Sequence, residues 1–413
     1  MTVLCLAPTS VEQRFIRGYP PKGAYFFLRP PVEVRRLATL VAAEDGFLYQ
    51  DQRVDQFHWT GAEDVCLVYS EFSSEHGVRE TANALAAAGR PCLLFGPLVT
   101  ADARLADRHP HVVGDITLAW PEIRHDLAAG TLKTSYRAPR QPASLPARGE
   151  FGRRPEMYLG HQAVSFLRGC SCPEPFRAFC PEHLYFGSRQ FRRTREEIVG
   201  ELLDLPHKPV QLLDDDVAAD PDYYLDIFAR VWDFRRHWFV SAGERIFDHP
   251  RLIRTLARAG ARSVLLNESF LWGKLEPATH NKRLVRRLYR RVKYLQSRRM
   301  LVGARVPLEL PARGSADFPA IARVLHHIDL DFIETVFFTR DPQGRCRPVF
   351  PCYRPSLEPT EPAWLKNSFY SMRSILDRLA RRPRRVGFYT TGRYLLPLSM
   401  SYRQSFLECL PVP

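Results

Sequence analysis

From residue 2 to about residue 130 short apolar runs alternate with stretches of helical periodicity. The runs are TVLCLAP, DVCLVYS, PCLLFGP and HVVGD, and the helical stretches cover Val34 to Ala43, Val78 to Ala88 and Trp120 to Ala128. Apolar runs without polar alternation fit strands buried on both faces, and the helices between them fit crossovers. The pattern therefore predicts a parallel sheet covered on both sides, a flavodoxin-like domain over residues 1–132.

Residues 133–157, KTSYRAPRQPASLPARGEFGRRPEM, hold proline, arginine and small residues without apolar periodicity, which predicts a linker. The alternation returns in AVSFLRG, PVQLLDDD, HWFVSAG, SVLLNES, MLVGARVPL and FIETVFF, with helices expected near 195–204, 221–233, 249–259, 282–297 and 317–327. Six such units predict a partial (β/α)6 barrel, TIM-like, over residues 158–353, with ligands gathering at the C-terminal strand ends. The tail, 354–413, carries SFYSMRSILDRLARRPRR and LLPLSM and predicts a short helical C-terminal extension. A chain of 413 residues fits two cores of this kind, both of the α/β class.

Charge changes the picture little. The formal net charge is +14, and the densest basic run, Lys282 to Arg299, keeps Val285, Leu288, Val292 and Leu295 at helical spacing. Its arginines then occupy the other faces of a helix, a solvated surface more than a nucleic-acid stripe, so no nucleic-acid partner is expected. No apolar run approaches the roughly 18 residues of a membrane span, and MTVLCLAPTS lacks the features of a signal peptide. The expectation is a cytoplasmic protein with no membrane span.

In that compartment thiols stay reduced, which gives weight to LRGCSCPEPFRAFCPEHLYFG, residues 167–187, where Cys170, Cys172 and Cys180 crowd after the first expected barrel strand. Three close thiolates point to metal or redox chemistry. With His183 they form C-x-C-x7-C-x2-H, an acceptable tetrahedral zinc set, so a redox cluster, a structural zinc and no metal all stay open. The other cysteines, Cys5, Cys66, Cys92, Cys346, Cys352 and Cys409, are scattered as packing residues.

The expected barrel strands end in polar residues that face one mouth. Asp214, Asp215 and Asp216 close the second, and Glu244, Arg245, Glu268 and Arg305 follow on later strands. Asp216 and Asp220 suit equally a cap of the helix that begins at PDYYLDIF. In the first domain the strand ends offer Tyr69, Ser70 and Glu71, then Gly96 and Pro97, then Gly114 and Asp115.

These motifs, in this order, carry a resemblance. The second half resembles the radical S-adenosylmethionine enzymes, and the whole chain resembles those members with an N-terminal cobalamin-binding domain. The resemblance runs from FGPLVT and VVGDITLAWPEIRHDLAAGTLKTSYRAPRQP through SFLRGC and AFCPEHLYFG to VQLLDDDVAADPDYY and FYSMRSIL. It implies a [4Fe-4S] cluster on three thiolates, with the fourth iron open to S-adenosylmethionine. Family spacing is three residues and then two between the cysteines. Here Cys170 matches the first, Cys180 the third and Phe179 the aromatic before it, but Arg177 stands at the middle position and Cys172 appears instead.

The resemblance further implies that Phe179, Asp214, Asp215, Asp216 and Glu268 bind S-adenosylmethionine, while Glu244, Arg245 and Arg305, at the same mouth, could bind its carboxylate or hydroxyls or simply pair with one another. It likewise assigns Tyr69, Ser70, Glu71, Gly96, Pro97, Gly114 and Asp115 to cobalamin. The Asp-x-His-x-x-Gly signature of a lower cobalt ligand is absent. The implied activity is reductive cleavage of S-adenosylmethionine to modify an unactivated carbon of a small molecule, most often by methyl transfer. An electron donor such as flavodoxin or ferredoxin would serve it, and Phe186, Trp232 and Trp272 would line the mouth. The alternative is a relative without the cluster, holding a structural zinc or no metal, that binds cobalamin or S-adenosylmethionine as a non-radical enzyme or partner protein.

Overall fold

A computed structural model of the chain describes residues 1–8, 31–41, 45–52, 57–71, 74–106, 108–140, 162–172, 177, 180–205, 209–309, 317–340, 346–349, 362–382, 386–387, 390–396 and 399. Phe179, Cys352, Cys409 and most of the expected linker lie outside the described residues. Two units make up the chain, one of residues 1–170 with 176–194, the other of 171–175 with 195–413.

The first unit is built on six strands, β1 (Thr2–Ala7), β2 (Gly46–Asp51), β3 (Val65–Tyr69), β4 (Cys92–Phe95), β5 (His111–Val113) and β6 (Ser135–Arg137). They are all parallel, in the order β2-β1-β3-β4-β5-β6. Successive side chains of a strand point to opposite faces, and β1 shows the result. Val3, Cys5 and Ala7 join the core under α1 (Val32–Val41) and α4 (Ile116–Ala128), while Leu4 and Leu6 join a second core under α2 (Glu75–Ala87) and α3 (Pro97–Ala101). The sheet is thus doubly covered and flavodoxin-like, as its apolar runs predict.

The expected linker does not begin at residue 133. Ser135–Arg137 adds the sixth strand, anchored by Tyr136, which is buried and donates its hydroxyl to Asp126 at 3.1 Å. Three residues are too few to show a period.

The second sheet has the order β15-β14-β13-β12-β11-β10-β7. Its strands are β7 (Gln162–Val164), β10 (Val210–Leu212), β11 (Trp238–Ala242), β12 (Ala261–Leu266), β13 (Leu301–Glu309), β14 (Phe332–Arg340) and β15 (Cys346–Val349). Strands β10 to β14 run parallel, each joined to the next by helix, which makes a partial barrel. The helices are α6 (Arg195–Asp204), α7 (Pro221–Arg230), α8 (Pro250–Arg258), α9 (Leu275–His280), α10 (Lys282–Gln296) and α11 (Phe318–Ile328), followed by α12 (Pro362–Phe369) and α13 (Met372–Arg381). The edge strand β15 is antiparallel to β14.

AVSFLRG is not one strand. It breaks after β7 at Ser165, whose hydroxyl donates to the Leu167 carbonyl at 2.7 Å, and Leu167–Arg168 (β8) turns into an antiparallel ribbon with Phe191–Arg192 (β9). Among the described residues no helix is long and apolar enough to cross a membrane.

Candidate functional site

The cysteine loop leaves β8 through Gly169. Its φ is +95°, and a Cβ there would lie 1.9 Å from the Arg189 carbonyl oxygen, so only glycine fits. At the far end Cys180 precedes the short helix α5 (Pro181–Phe186), and its carbonyl accepts from the Leu184 amide at 3.0 Å. Glu182 ties the ends together. Its carboxylate accepts from the Gly169 amide at 2.7 Å and from Arg168 Nε at 3.1 and 3.2 Å, and Arg168 Nη2 reaches Asp115 at 3.2 Å.

This clamp sets the loop ends independently of the residues between them. The sulfurs of Cys170, Cys172 and Cys180 lie within 4.8 Å of one another, with Cys170 and Cys180 buried and Cys172 half-buried. Cys172 Sγ stands 3.9 Å from Asp215 Oδ2. His183, the expected fourth zinc ligand, is not part of this set, and its buried Nδ1 has no hydrogen-bond partner.

At the barrel strand ends the three aspartates divide. Asp214 accepts from the Tyr224 hydroxyl at 2.7 Å, and Asp216 accepts from the amides of Gly243 at 2.7 Å and Ala218 at 2.8 Å. Burial raises the Asp216 carboxyl above its ordinary range despite those two amides. Asp215 takes the other direction, toward Cys172 and, at 3.5 Å, Arg305 Nη1.

Arg305 is the centre of this mouth. Beyond Asp215 it meets Glu268 at 3.5 Å and Glu334 at 3.3 Å. Burial opposes its charge, yet Glu268, Asp215 and Glu334 outweigh that and hold it well above its usual value. Among the described residues, three carboxylates thus converge on this one guanidinium. Glu334 was not expected from the sequence, although a lone acid inside the run FIETVFF was a signal.

Glu244 is engaged elsewhere. It accepts from Lys274 Nζ at 2.6 Å and is paired with Arg291, and these cations lower its carboxyl against the opposing effect of burial. Arg245 is exposed. Of the aromatics expected at the mouth, Trp272 packs at a tilt against Phe338, near the end of β14, with ring centres 5.0 Å apart. Trp232 lies instead in the turn that leads into β11, on the strand-start side, and Phe186 is buried under the Arg168 guanidinium at 4.7 Å.

In the first unit most strand-end candidates have partners within the fold. The Ser70 hydroxyl donates to the Phe95 carbonyl at 2.7 Å, Tyr69 packs edge-on against Phe95, and Asp115 caps α4 through the Thr117 amide at 3.0 Å. The Glu71 amide donates to Ser74 Oγ at 3.1 Å, and Pro97 opens α3. A Cβ on Gly96, φ +116°, would meet the Ser70 carbonyl oxygen at 2.7 Å, and one on Gly114 would meet Ala138 at 2.9 Å. The chain itself thus explains both glycines. Beside them lies a set that the sequence did not reveal, the half-buried Glu33 and Glu182 with the buried Arg36, Arg168 and Tyr185. Arg36 Nε and the Tyr185 hydroxyl are buried without a partner, polar atoms of the kind a ligand satisfies.

No protein-family model and no curated protein sequence matches the chain. Solved structures do. The radical S-adenosylmethionine methyltransferase TsrM from Kitasatospora setae, with tryptophan substrate and an S-adenosylmethionine analogue bound, superposes with a TM-score of 0.58 at 13% identity, covering 82% of this chain and 73% of that one. The chain has the fold of cobalamin-dependent radical S-adenosylmethionine enzymes. A TsrM structure with cobalamin and a [4Fe-4S] cluster gives 0.56 at 14% identity over 83% of this chain and 76% of that one. OxsB, a cobalamin-dependent S-adenosylmethionine radical enzyme with aqua-cobalamin and S-adenosylmethionine bound, gives 0.52 at 10% identity over 79% of this chain and 52% of that one.

Within this fold the donors fit the groups that the fold implies. Three convergent thiols are the donor set of an iron-sulfur cluster with one open iron. The carboxylates of Asp215, Glu268 and Glu334 around Arg305 are acceptors of the kind an ammonium uses, and the orphan donors at Arg36 and Tyr185 suit a polar ligand in the first unit.

Proposed function

We propose that the chain is a cobalamin-dependent radical S-adenosylmethionine enzyme that modifies an unactivated carbon of a small molecule by methyl transfer. One observation carries the reading. The three thiols of the loop converge within 4.8 Å although C-x-C-x7-C is not the family's spacing, so Cys172 replaces the missing middle cysteine.

When bound, the cluster supplies one electron to the sulfonium of S-adenosylmethionine, and the cobalamin supplies the methyl group. The residues supply the rest. Cys170, Cys172 and Cys180 would hold the cluster. Asp215 and Glu268 accept from the ammonium of S-adenosylmethionine, whose three donors need acceptors, and Arg305 holds both carboxylates in place. Asp214 and Asp216 fix the strand end that aims Asp215. Tyr69, Glu71 and Pro97, with Tyr185 and Arg36, border the cobalamin. The electron comes from a donor protein of the flavodoxin or ferredoxin kind, and a cytoplasm that keeps thiols reduced suits a thiolate-held cluster.

The test is metal content after reconstitution without oxygen and with cobalamin. About four irons with matching sulfide per chain, falling to near zero in Cys172→Ala, is the expected result for a thiolate-held cluster. About one zinc and no iron would replace this reading with a closed structural site.

A further inference from the structure

Helix α10 carries Lys282, Arg283, Arg286, Arg287 and Arg290 on its exposed side, while Leu288, Val292 and Leu295 are buried. Arg291 and Lys293, on the flank, pair with Glu244 and Asp329. No carboxylate of the described residues pairs with the other five, and α10 itself contains no acidic residue. Positions 282, 286 and 290 fall one helical turn apart, with 283 and 287 beside them, in a strip about 12 Å long.

The strip opposes helix stability in two ways. Like charges four residues apart repel. Lys282 and Arg283 also stand in the first turn, at the positive end of the helix dipole, where the cap is the neutral Asn281 and no acid is present. A face that serves solubility alone mixes the two signs. A local rule broken without a compensating contact in the fold points to a use outside it.

The strip is also well placed. A helix that returns between parallel strands starts on the side of their C-terminal ends, so residues 282–287 stand on the side of Asp215, Glu268 and Arg305. Arg291 ties the helix to Glu244, just past the end of β11.

We propose that this strip docks the acidic face of a protein that carries one electron to the site. The proposal rests on the function proposed above, which consumes one electron per cleavage. The reduced carrier loses that electron, the cluster gains it, and no atom is transferred. An anionic membrane fits poorly, because the apolar face of α10 is spent on the barrel and only Tyr289 is large, apolar and exposed. A nucleic acid would add base-reading amides or stacking side chains, and the exposed face carries none beyond that tyrosine.

The test uses the full chain and an oxidised flavodoxin of net negative charge, with binding followed by biolayer interferometry from about 50 to 300 mM NaCl. The triple variant Arg283→Glu, Arg286→Glu, Arg290→Glu changes only exposed side chains, and its melting curve serves as the fold control. Binding is expected to weaken about tenfold or more in the variant and about tenfold across the salt range for the wild type. Reduction of the reconstituted cluster by flavodoxin should slow by a similar factor, while reduction by dithionite stays unchanged. Equal flavodoxin binding by the two proteins would overturn the proposal. So would duplex DNA or anionic vesicles binding the wild type more tightly than flavodoxin, with loss in the same variant. A chain that takes up no iron, yet loses flavodoxin binding in the variant, keeps the docking surface and removes the radical reading alone.

Discussion

Arg382 supports the strongest stability prediction, and it lies on the side of the barrel away from the proposed chemistry. It follows α13, is fully buried, and donates from Nη1 and Nη2 to the two oxygens of Asp329 at 2.9 and 2.8 Å. Its Nη2 also reaches the Asp329 carbonyl at 2.9 Å, and its Nε pairs with Asp331, itself fully buried. Asp331 receives further bonds on Oδ2, from the Val302 amide at 2.7 Å and Gln296 at 3.1 Å, but Arg382 is the partner of its Oδ1. In Arg382→Met that oxygen stays buried without its charge partner, a loss of ~3–5 kcal/mol. In a unit of this size each kcal/mol shifts the melting point by about 2–4 °C, so scanning calorimetry at pH 7 should show a fall of roughly 6–20 °C. Adding Asp331→Asn to the variant should restore part of it, since the penalty is the stranded charge. The sign with pH is fixed as well. Burial raises the Asp329 carboxyl, but Arg382 and Lys293 outweigh it and bring the group from 3.8 down to about 2. A depressed carboxyl contributes stability that is full above about pH 4 and lost as pH falls toward 2, here about 2 kcal/mol. A variant that melts within about 1 °C of the wild type at pH 7 would refute the reasoning, because no stranded buried charge is that cheap.

Three further outcomes follow from the same geometry. Arg305→Leu removes the cation shared by Asp215, Glu268 and Glu334, and should cost ~1–3 kcal/mol in urea unfolding at pH 7, with Arg305→Lys restoring part because it returns the charge without the fork. Burial raises the Glu33 carboxyl from 4.5 to about 7, so its protonated form favours the fold below pH 4.5 and that stability is lost as pH rises through 7; Glu33→Gln should abolish this loss between pH 5 and pH 8 in thermal melts. Gly96→Ala should lower the melting point of apoprotein, since the new Cβ meets the Ser70 backbone at 2.7 Å with φ at +116°; an unchanged melt would return this glycine to a role in ligand approach.

Much of this fold is legible in apolar runs because parallel strands covered on both faces have no polar alternation to hide them. Strands β1, β3, β4 and β5 and strands β10 to β14 fall on such runs, whereas the edge strand β2, half of it exposed or half-buried, does not. What escapes is short or decided at long range. Strand β6 has three residues and takes its place from the Tyr136 contact with Asp126. AVSFLRG reads as one strand because nothing in its composition shows that Ser165 turns the chain and that Phe191–Arg192 is waiting to pair with Leu167–Arg168. The cysteines are visible as a cluster, but their convergence depends on Glu182, Arg168 and Asp115, which are up to 67 positions apart in the sequence and unremarkable when read singly.

The three consecutive aspartates show how a strand end turns a redundant sequence into separate roles. All three lie beyond the end of β10, where the chain bends at Asp215, and their carboxylates find different partners. Asp214 meets the Tyr224 hydroxyl, and Asp216 meets the amides of Gly243, just past β11, and Ala218, in its own loop, donors that the fold itself must satisfy, and so those two carboxylates are consumed in building the strand end. Asp215 meets Cys172 and Arg305, the guanidinium that Glu268 and Glu334 also reach. A sequence reader sees three equal acids. The fold leaves one of them beside Cys172, and the two that flank it pin the loop on either side.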